Sequence, residues 1–142
     1  MESSKEPHVK GIKITELDHI VLNVKDIDRS LVFYTEVLGL APERVEEFRR
    51  GEVGFPSVRI NQHTVVDLSP SKKPGEVNEG QRNLNHFCLV VEGEDLSALA
   101  SYLKDRQVEV RQGPVSRWGA RGRGTSIYFL DPDGNEIEVR RY

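Results

Sequence analysis

The chain of 142 residues contains one cysteine, Cys88. A lone thiol closes no intramolecular disulfide, and without a CxxC pair there is no thiolate cluster for a soft metal, so a reducing, intracellular setting fits. Long apolar runs are missing as well. No stretch approaches the ~20 apolar residues of a membrane span, and the opening MESSKEPHVKG lacks the apolar h-region of a secretory signal. Nor is there a basic excess: 20 Lys and Arg against 23 Asp and Glu give a formal charge of −3, whereas a phosphate-backbone binder carries a basic face on a basic domain. These absences exclude nucleic acid and membrane as partners. The expectation is a cytoplasmic protein, one domain long, that buries a core without staples.

What the sequence does contain is a repeat. LDHIVLNV (Leu17 to Val24) returns as LNHFCLVV (Leu84 to Val91), so that His19 falls on His86, with Leu22, Val24 and Ser30 on Leu89, Val91 and Ser97. The period is too long for a solenoid and implies two copies of one supersecondary unit. Alternate side chains of a strand share a face. His19, Val21 and Asn23 therefore oppose Ile20, Leu22 and Val24, and His86, Cys88 and Val90 oppose Phe87, Leu89 and Val91. Each copy offers an apolar face to a helix and a mixed face that begins with an imidazole. Two mixed faces brought together would enclose a cavity with two histidines.

Residues 1–13 read as a flexible tail and Ile14 to Val24 as the first strand. Asp26 is placed to cap a helix marked by Leu31, Tyr34, Val37 and Leu38, with Gly39 as its left-handed C-terminal residue. Arg44 to Arg50, Gly54 to Ile60 and His63 to Leu68 have strand character, the last two joined at Asn61-Gln62. Module one thus spans 14–68 and reads βαβββ. A Pro-, Gly- and charge-rich linker follows over 69–82. Module two, 83–142, repeats the order. It has a strand from Leu84 to Val91 and a helix capped by Asp95, with Leu96, Leu99, Ala100 and Leu103 at i, i+3, i+4 and i+7. Then come a short strand from Val108 to Arg111, a loop from Gly113 to Gly124 and a strand from Ser126 to Leu130. A type I turn over Asp131-Pro132-Asp133-Gly134 leads into the last strand, Asn135 to Arg140.

The closing strands bring acid to the mixed faces: Asp67 in module one, Glu136 and Glu138 in module two. Two neutral imidazoles with one or two carboxylates suit a borderline divalent metal ion (Zn, Ni, Co, Mn or Fe(II)) and leave positions open to water or substrate. Any one histidine alone is more often a structural residue. The pairing is what distinguishes these two.

LDHIVLNVKDIDRSLVFYTEVLGL, followed by LNHFCLVV and SIYFLDPDGNEIEV, resembles the vicinal oxygen chelate superfamily of glyoxalase I, extradiol dioxygenases, fosfomycin-resistance enzymes and bleomycin-resistance proteins. The resemblance runs from Ile14 to Tyr142 and is most specific over Ser126 to Val139. Within the superfamily it is closest to small glyoxalase-domain and fosfomycin-resistance-like proteins. It implies an α+β fold of paired βαβββ modules, a single glyoxalase-like domain over 14–142, whose curled, mostly antiparallel sheets surround a central cavity. One divalent metal ion is implied there, commonly in a homodimer. Carried over position by position, the family's ligands fall on His19, Asp67, His86 and Glu138. Asp67 departs from the pattern, which more often has Glu, His or Gln there, and is one methylene short. Without it, His19, His86 and Glu138 remain as a two-histidine, one-carboxylate site. The alternatives by strand parity are His63 for Asp67 and Glu136 for Glu138.

Arg117, Arg121 and Arg123, with Trp118 among glycines, precede a strand expected to line the cavity. An arginine fork there would hold an anionic group of a small-molecule substrate; a solvated loop is the other reading. Tyr128 points inward by parity, and Cys88 is read as cavity wall because no base adjoins it. The function expected is a metal-dependent enzyme that activates a small organic substrate by Lewis-acid chemistry, with Glu138 or Asp67 doubling as general base. The reaction would be a glyoxalase-like lyase or isomerase step or a fosfomycin-resistance-like addition. A bleomycin-resistance-type binder that sequesters its ligand without catalysis is the alternative, and a small extradiol dioxygenase stands behind both. Each module's sheet has edges to cover, so a homodimer is expected, its cavity formed within one chain or between two.

Overall fold

A computed structural model of the chain describes residues 15–80, 82, 84–93 and 95–142. The expected tail over 1–13, and residue 14 at the head of the expected first strand, lie outside them. Alternation builds β1 (His19–Val24), in which Leu22 and Val24 are buried while His19, Val21 and Asn23 are exposed. Asp26 caps the following helix by accepting from the Arg29 amide at 3.1 Å. That helix, α1 (Ile27–Leu31), widens into a π-helical turn (Val32–Val37), and Gly39 leaves it at φ +79°, where a side chain would be strained. β2 (Ala41–Glu43), α2 (Val45–Arg49), β3 (Ser57–Arg59) and β4 (Val65–Pro70) complete module one. The strand expected over Arg44 to Arg50 is therefore a helix. Arg44 turns the chain at φ +62°, and Glu46 and Glu47 in the first turn with Arg49 in the last suit the helix dipole.

Module two runs β5 (Phe87–Val90), α3 (Leu96–Asp105), β6 (Val110–Gly119), β7 (Gly122–Leu130) and β8 (Glu136–Arg141). The Asp95 carboxylate accepts from the Ser97 and Ala98 amides, and α3 buries Leu96, Ala100 and Leu103. The loop expected from Gly113 to Gly124 is instead the outer half of the β6–β7 hairpin, paired from Val115 with Ser126 to Gly119 with Gly122. Cross-strand pairing overrides the turn-like composition.

The sheets are ordered β1-β4-β3-β2 and β5-β8-β7-β6. In each the first pair is parallel and the rest antiparallel, so the fold is α+β with a duplicated βαβββ unit and two open mixed sheets. Their apolar faces share one core: Leu22, Val24, Phe33, Val66 and Leu68 lie in it with Leu103, Ile127, Phe129 and Ile137. The Asp131 turn closes through a Gly134 amide to Asp131 carbonyl bond of 3.0 Å, and it also joins the modules. The Tyr34 hydroxyl donates to Asp131 at 2.5 Å. Ser30 and Arg29 donate to the Asp133 carboxylate at 3.3 and 3.2 Å, and Asn78 of the linker donates to the Asp133 carbonyl at 3.0 Å. Among the described residues no helix is long and apolar enough to cross a membrane.

Candidate functional site

The parallel pairs β1–β4 and β5–β8 set the carboxylates beside the histidines. Val21 is in register with Asp67, and Cys88 with Glu138, so each acid stands one side-chain repeat along the mixed face from its imidazole. His86 Nε2 lies 3.1 Å from Glu138 Oε1; His19 Nε2 lies 3.9 Å from Asp67 Oδ2. The preceding residue turns each ring. Nδ1 of His19 bonds Asp18 Oδ2 at 2.7 Å, and Nδ1 of His86 bonds Asn85 Oδ1 at 2.6 Å. With Nδ1–H committed to an acceptor, the neutral ring presents the Nε2 lone pair to the carboxylate. Two lone-pair groups so close need a proton or a cation between them. Ligands that share one ion through bonds of roughly 2.0–2.2 Å stand about 3 Å apart when at right angles. The His86–Glu138 pair fits an ion by that measure, and the His19–Asp67 pair is wider because aspartate is a methylene short.

Both carboxylates are buried and backed from behind. Glu138 Oε2 accepts from the Ser126 hydroxyl at 2.6 Å and from Arg140 Nη2 at 2.9 Å. Burial works against ionisation of Glu138, but those bonds and the Arg140 charge outweigh it, and its carboxyl sits below the usual range. Asp67 Oδ1 accepts from the Ser57 hydroxyl at 2.5 Å, with Arg44 Nη2 at 3.5 Å. The hydrogen bond to Asp18 raises His19 above its ordinary value; desolvation opposes the rise and the Asp67 charge adds to it.

Of the other residues marked in the sequence, Tyr128 stands edge-on to His86, ring centroids 5.6 Å apart. Burial first, and then the Glu138 charge, push its hydroxyl up, while the nearby Arg117 pulls the other way. Trp118 is 72% exposed under the Arg123 guanidinium, 4.9 Å away. Arg121 stacks on Tyr142 at 4.9 Å and borders, with Cys88 and Tyr102, an apolar cavity of about 520 Å³. Desolvation pushes the thiol of Cys88 up, although the residue is exposed. Glu136 lines a shallow pocket with Arg82, Asn85 and Arg111, and His63 sits at the rim, its Nδ1 3.8 Å from Glu16. Sequence reasoning missed Ser57, Ser126, Arg44 and Arg140. Arg140 shares strand parity with Glu138, and Ser126 with Tyr128, which could have marked them; Arg44 and Ser57 carried no signal.

Among the described residues no three His, Cys, Asp or Glu side chains gather into a metal-holding group. Residues of the opposite parity, Leu22 and Val24 in β1 and Ile137 and Val139 in β8, lie in the shared core, and among the described residues the two His–acid pairs form no joint cluster.

A family model described as the Glyoxalase/Bleomycin resistance protein/Dioxygenase superfamily matches residues 16–139. Virulence protein STM3117 of Salmonella typhimurium is 32% identical over 142 residues, covering 99% of this chain and 94% of that protein. Metallothiol transferase FosB of Staphylococcus epidermidis is 27% identical over 131 residues, covering 90% and 82%. Among solved structures, the V. Cholerae integron cassette protein VCH_CASS1 superposes with a TM-score of 0.72 at 33% identity, covering 92% of this chain and 98% of that one.

Proposed function

The chain belongs to the glyoxalase/bleomycin resistance protein/dioxygenase superfamily, and from that premise we propose that it is a metal-dependent enzyme acting on a small organic substrate between the mixed faces of two chains. The observation that carries this reading is the His86–Glu138 contact of 3.1 Å with its ring-orienting Asn85, echoed by His19, Asp67 and Asp18. His19 and Asp67 of one chain with His86 and Glu138 of a second would hold one divalent ion. A relative named as a metallothiol transferase supports a metal in the site.

Bound there, the ion supplies Lewis-acid polarisation of substrate oxygens. The chain's own residues do the rest. Asp18 and Asn85 hold the rings with Nε2 forward. Glu138, held at Oε2 by Ser126 and Arg140, serves as the fixed ligand through Oε1. Asp67, whose Oδ2 stands 3.9 Å from its imidazole, is the carboxylate that would take a proton from a substrate through that oxygen. Tyr128 closes one side of the site, and Arg117 beside it offers a fork for an anionic group. Val21 and Val90, 51% and 48% exposed on the mixed faces, and the open edges of β1 and β5 are surfaces that a second copy would cover.

Elemental analysis tests the reading. Purified protein should carry about one divalent ion per site, and folded His86→Ala should lose it, because neutral imidazoles are strong ligands for such ions. Unchanged metal content in that variant overturns the proposed site.

A further inference from the structure

Resting on that metal-site reading, we infer that Arg140 and Ser126 are positioning residues that leave Glu138 one free oxygen, so that it binds an ion through Oε1 alone. Ser57, with Arg44 behind it, holds one oxygen of Asp67 likewise.

The two oxygens of Glu138 have separate duties. Oε2 accepts from Ser126 at 2.6 Å and Arg140 at 2.9 Å, while Oε1 faces His86 Nε2 at 3.1 Å. Swinging both oxygens onto an ion would break two bonds to a buried carboxylate, one of them charge-assisted. Arg140 cannot follow such a swing. It is 3% exposed, and two more of its N–H groups donate to the carbonyls of Arg117 at 3.3 Å and Trp118 at 2.8 Å. Glycines make the slot it occupies: a Cβ on Gly119 would overlap the guanidinium and the Tyr142 hydroxyl, and one on Gly124 would lie 3.3 Å from Nη1. The β6–β7 hairpin is thus shaped around this side chain.

Module one repeats the device with different parts. Asp67 Oδ1 accepts from Ser57 at 2.5 Å and is ion-paired at 3.5 Å with Arg44, which itself donates to the Ser57 hydroxyl, while Oδ2 faces His19. Ser57 stands directly across from Asp67, whereas Ser126 stands across from Arg140. The arginine comes from the start of α2 in one module and from β8 in the other. An arrangement reached twice from non-equivalent positions is not a by-product of the repeat.

Infrared difference spectra, metal-loaded minus metal-free, test this. A carboxylate bound through one oxygen has widely separated antisymmetric and symmetric stretches; one bound through both has them closer. Glu138→Gln assigns the bands. The separation should be wide in the parent and narrow in Arg140→Met. If that buried substitution does not fold, Gly119→Ala combined with Ser126→Ala releases the same oxygen and should narrow it too. A narrow separation in the parent, or a wide one in variants that still hold metal, overturns the inference and leaves the metal site standing. A parent that binds no divalent ion overturns both.

Discussion

Mixing two defective chains should restore metal sites. His19 with Asp67 and His86 with Glu138 lie on separate faces turned from a common core, and among the described residues they do not converge within one chain. If a second copy brings the missing pair, His19 and His86 of one chain serve different ions. Structural zinc sites with four ligands bind with apparent free energies of about 10–16 kcal/mol, or about 3 kcal/mol per ligand, so loss of one histidine weakens binding on the order of a hundredfold. His19→Ala and His86→Ala homodimers should therefore both be empty at ion levels that fill the parent. After random subunit exchange about half the dimers are mixed. Each mixed dimer pairs both alanines at one site and both histidines at the other, which restores about one quarter of all sites. Equilibrium dialysis with metal analysis, on samples exchanged in mild denaturant and refolded together, reads that quarter directly. No recovery in the mixture places the site within one chain, and sedimentation as a monomer at micromolar concentration removes the dimer altogether.

Asp67→Glu should hold metal at least as well as the parent, since the added methylene closes the 3.9 Å gap to His19, while Asp67→Ala should weaken binding; titrations of both variants that overlay the parent would show Asp67 to be lining only. Tyr34→Phe removes the 2.5 Å bond to the buried Asp131 carboxylate, at a cost of about 1.5–3 kcal/mol. At an unfolding entropy of about 0.3 kcal/mol/K for a chain of this length, calorimetry should show a melting temperature lower by about 5–10 °C, and a shift below about 2 °C would contradict the role given to the turn. Because the bond to Asp18 raises His19 above 6.5, protons compete with metal and affinity should climb as pH rises through that raised value. Asp18→Asn keeps an acceptor without the charge and should move the climb to lower pH; superimposable affinity-against-pH curves for the two proteins would refute the assignment. For the metal-free protein the sign reverses. The His19 contribution to folding is fully present below 6.5 and is lost as pH rises through the raised folded value.

Features decided within a few residues were legible in the sequence. Asp26 and Asp95 cap their helices, Gly39 takes its left-handed place, the Asp131 turn closes, and alternation puts His19 and His86 on the mixed faces. Parity put Glu136 and Glu138 on one face without choosing between them; the family resemblance favoured Glu138, which lies 3.1 Å from His86. Features decided by distant chain were not. α2 depends on the left-handed turn at Arg44, which composition does not mark. The Gly- and Arg-rich segment becomes a hairpin because β7 is already fixed against β8 and the Arg140 guanidinium needs a slot. Arg44 and Ser57 reach Asp67 from other elements, so no local pattern points to them.

The turn at Asp131 has a kinetic side. Its bonds to Tyr34, Ser30 and the Lys25 amide span 97, 103 and 108 residues, and the entropy of closing loops of that length must be met before those contacts can reward it. As the chain is synthesised, α1 waits for its polar partners until Asp131 and Asp133 have emerged. The two halves are therefore a repeat in sequence without being autonomous folding units. A chain stopped before Asp131, though it holds all of module one, should remain incompletely folded and open to protease until the missing turn is supplied.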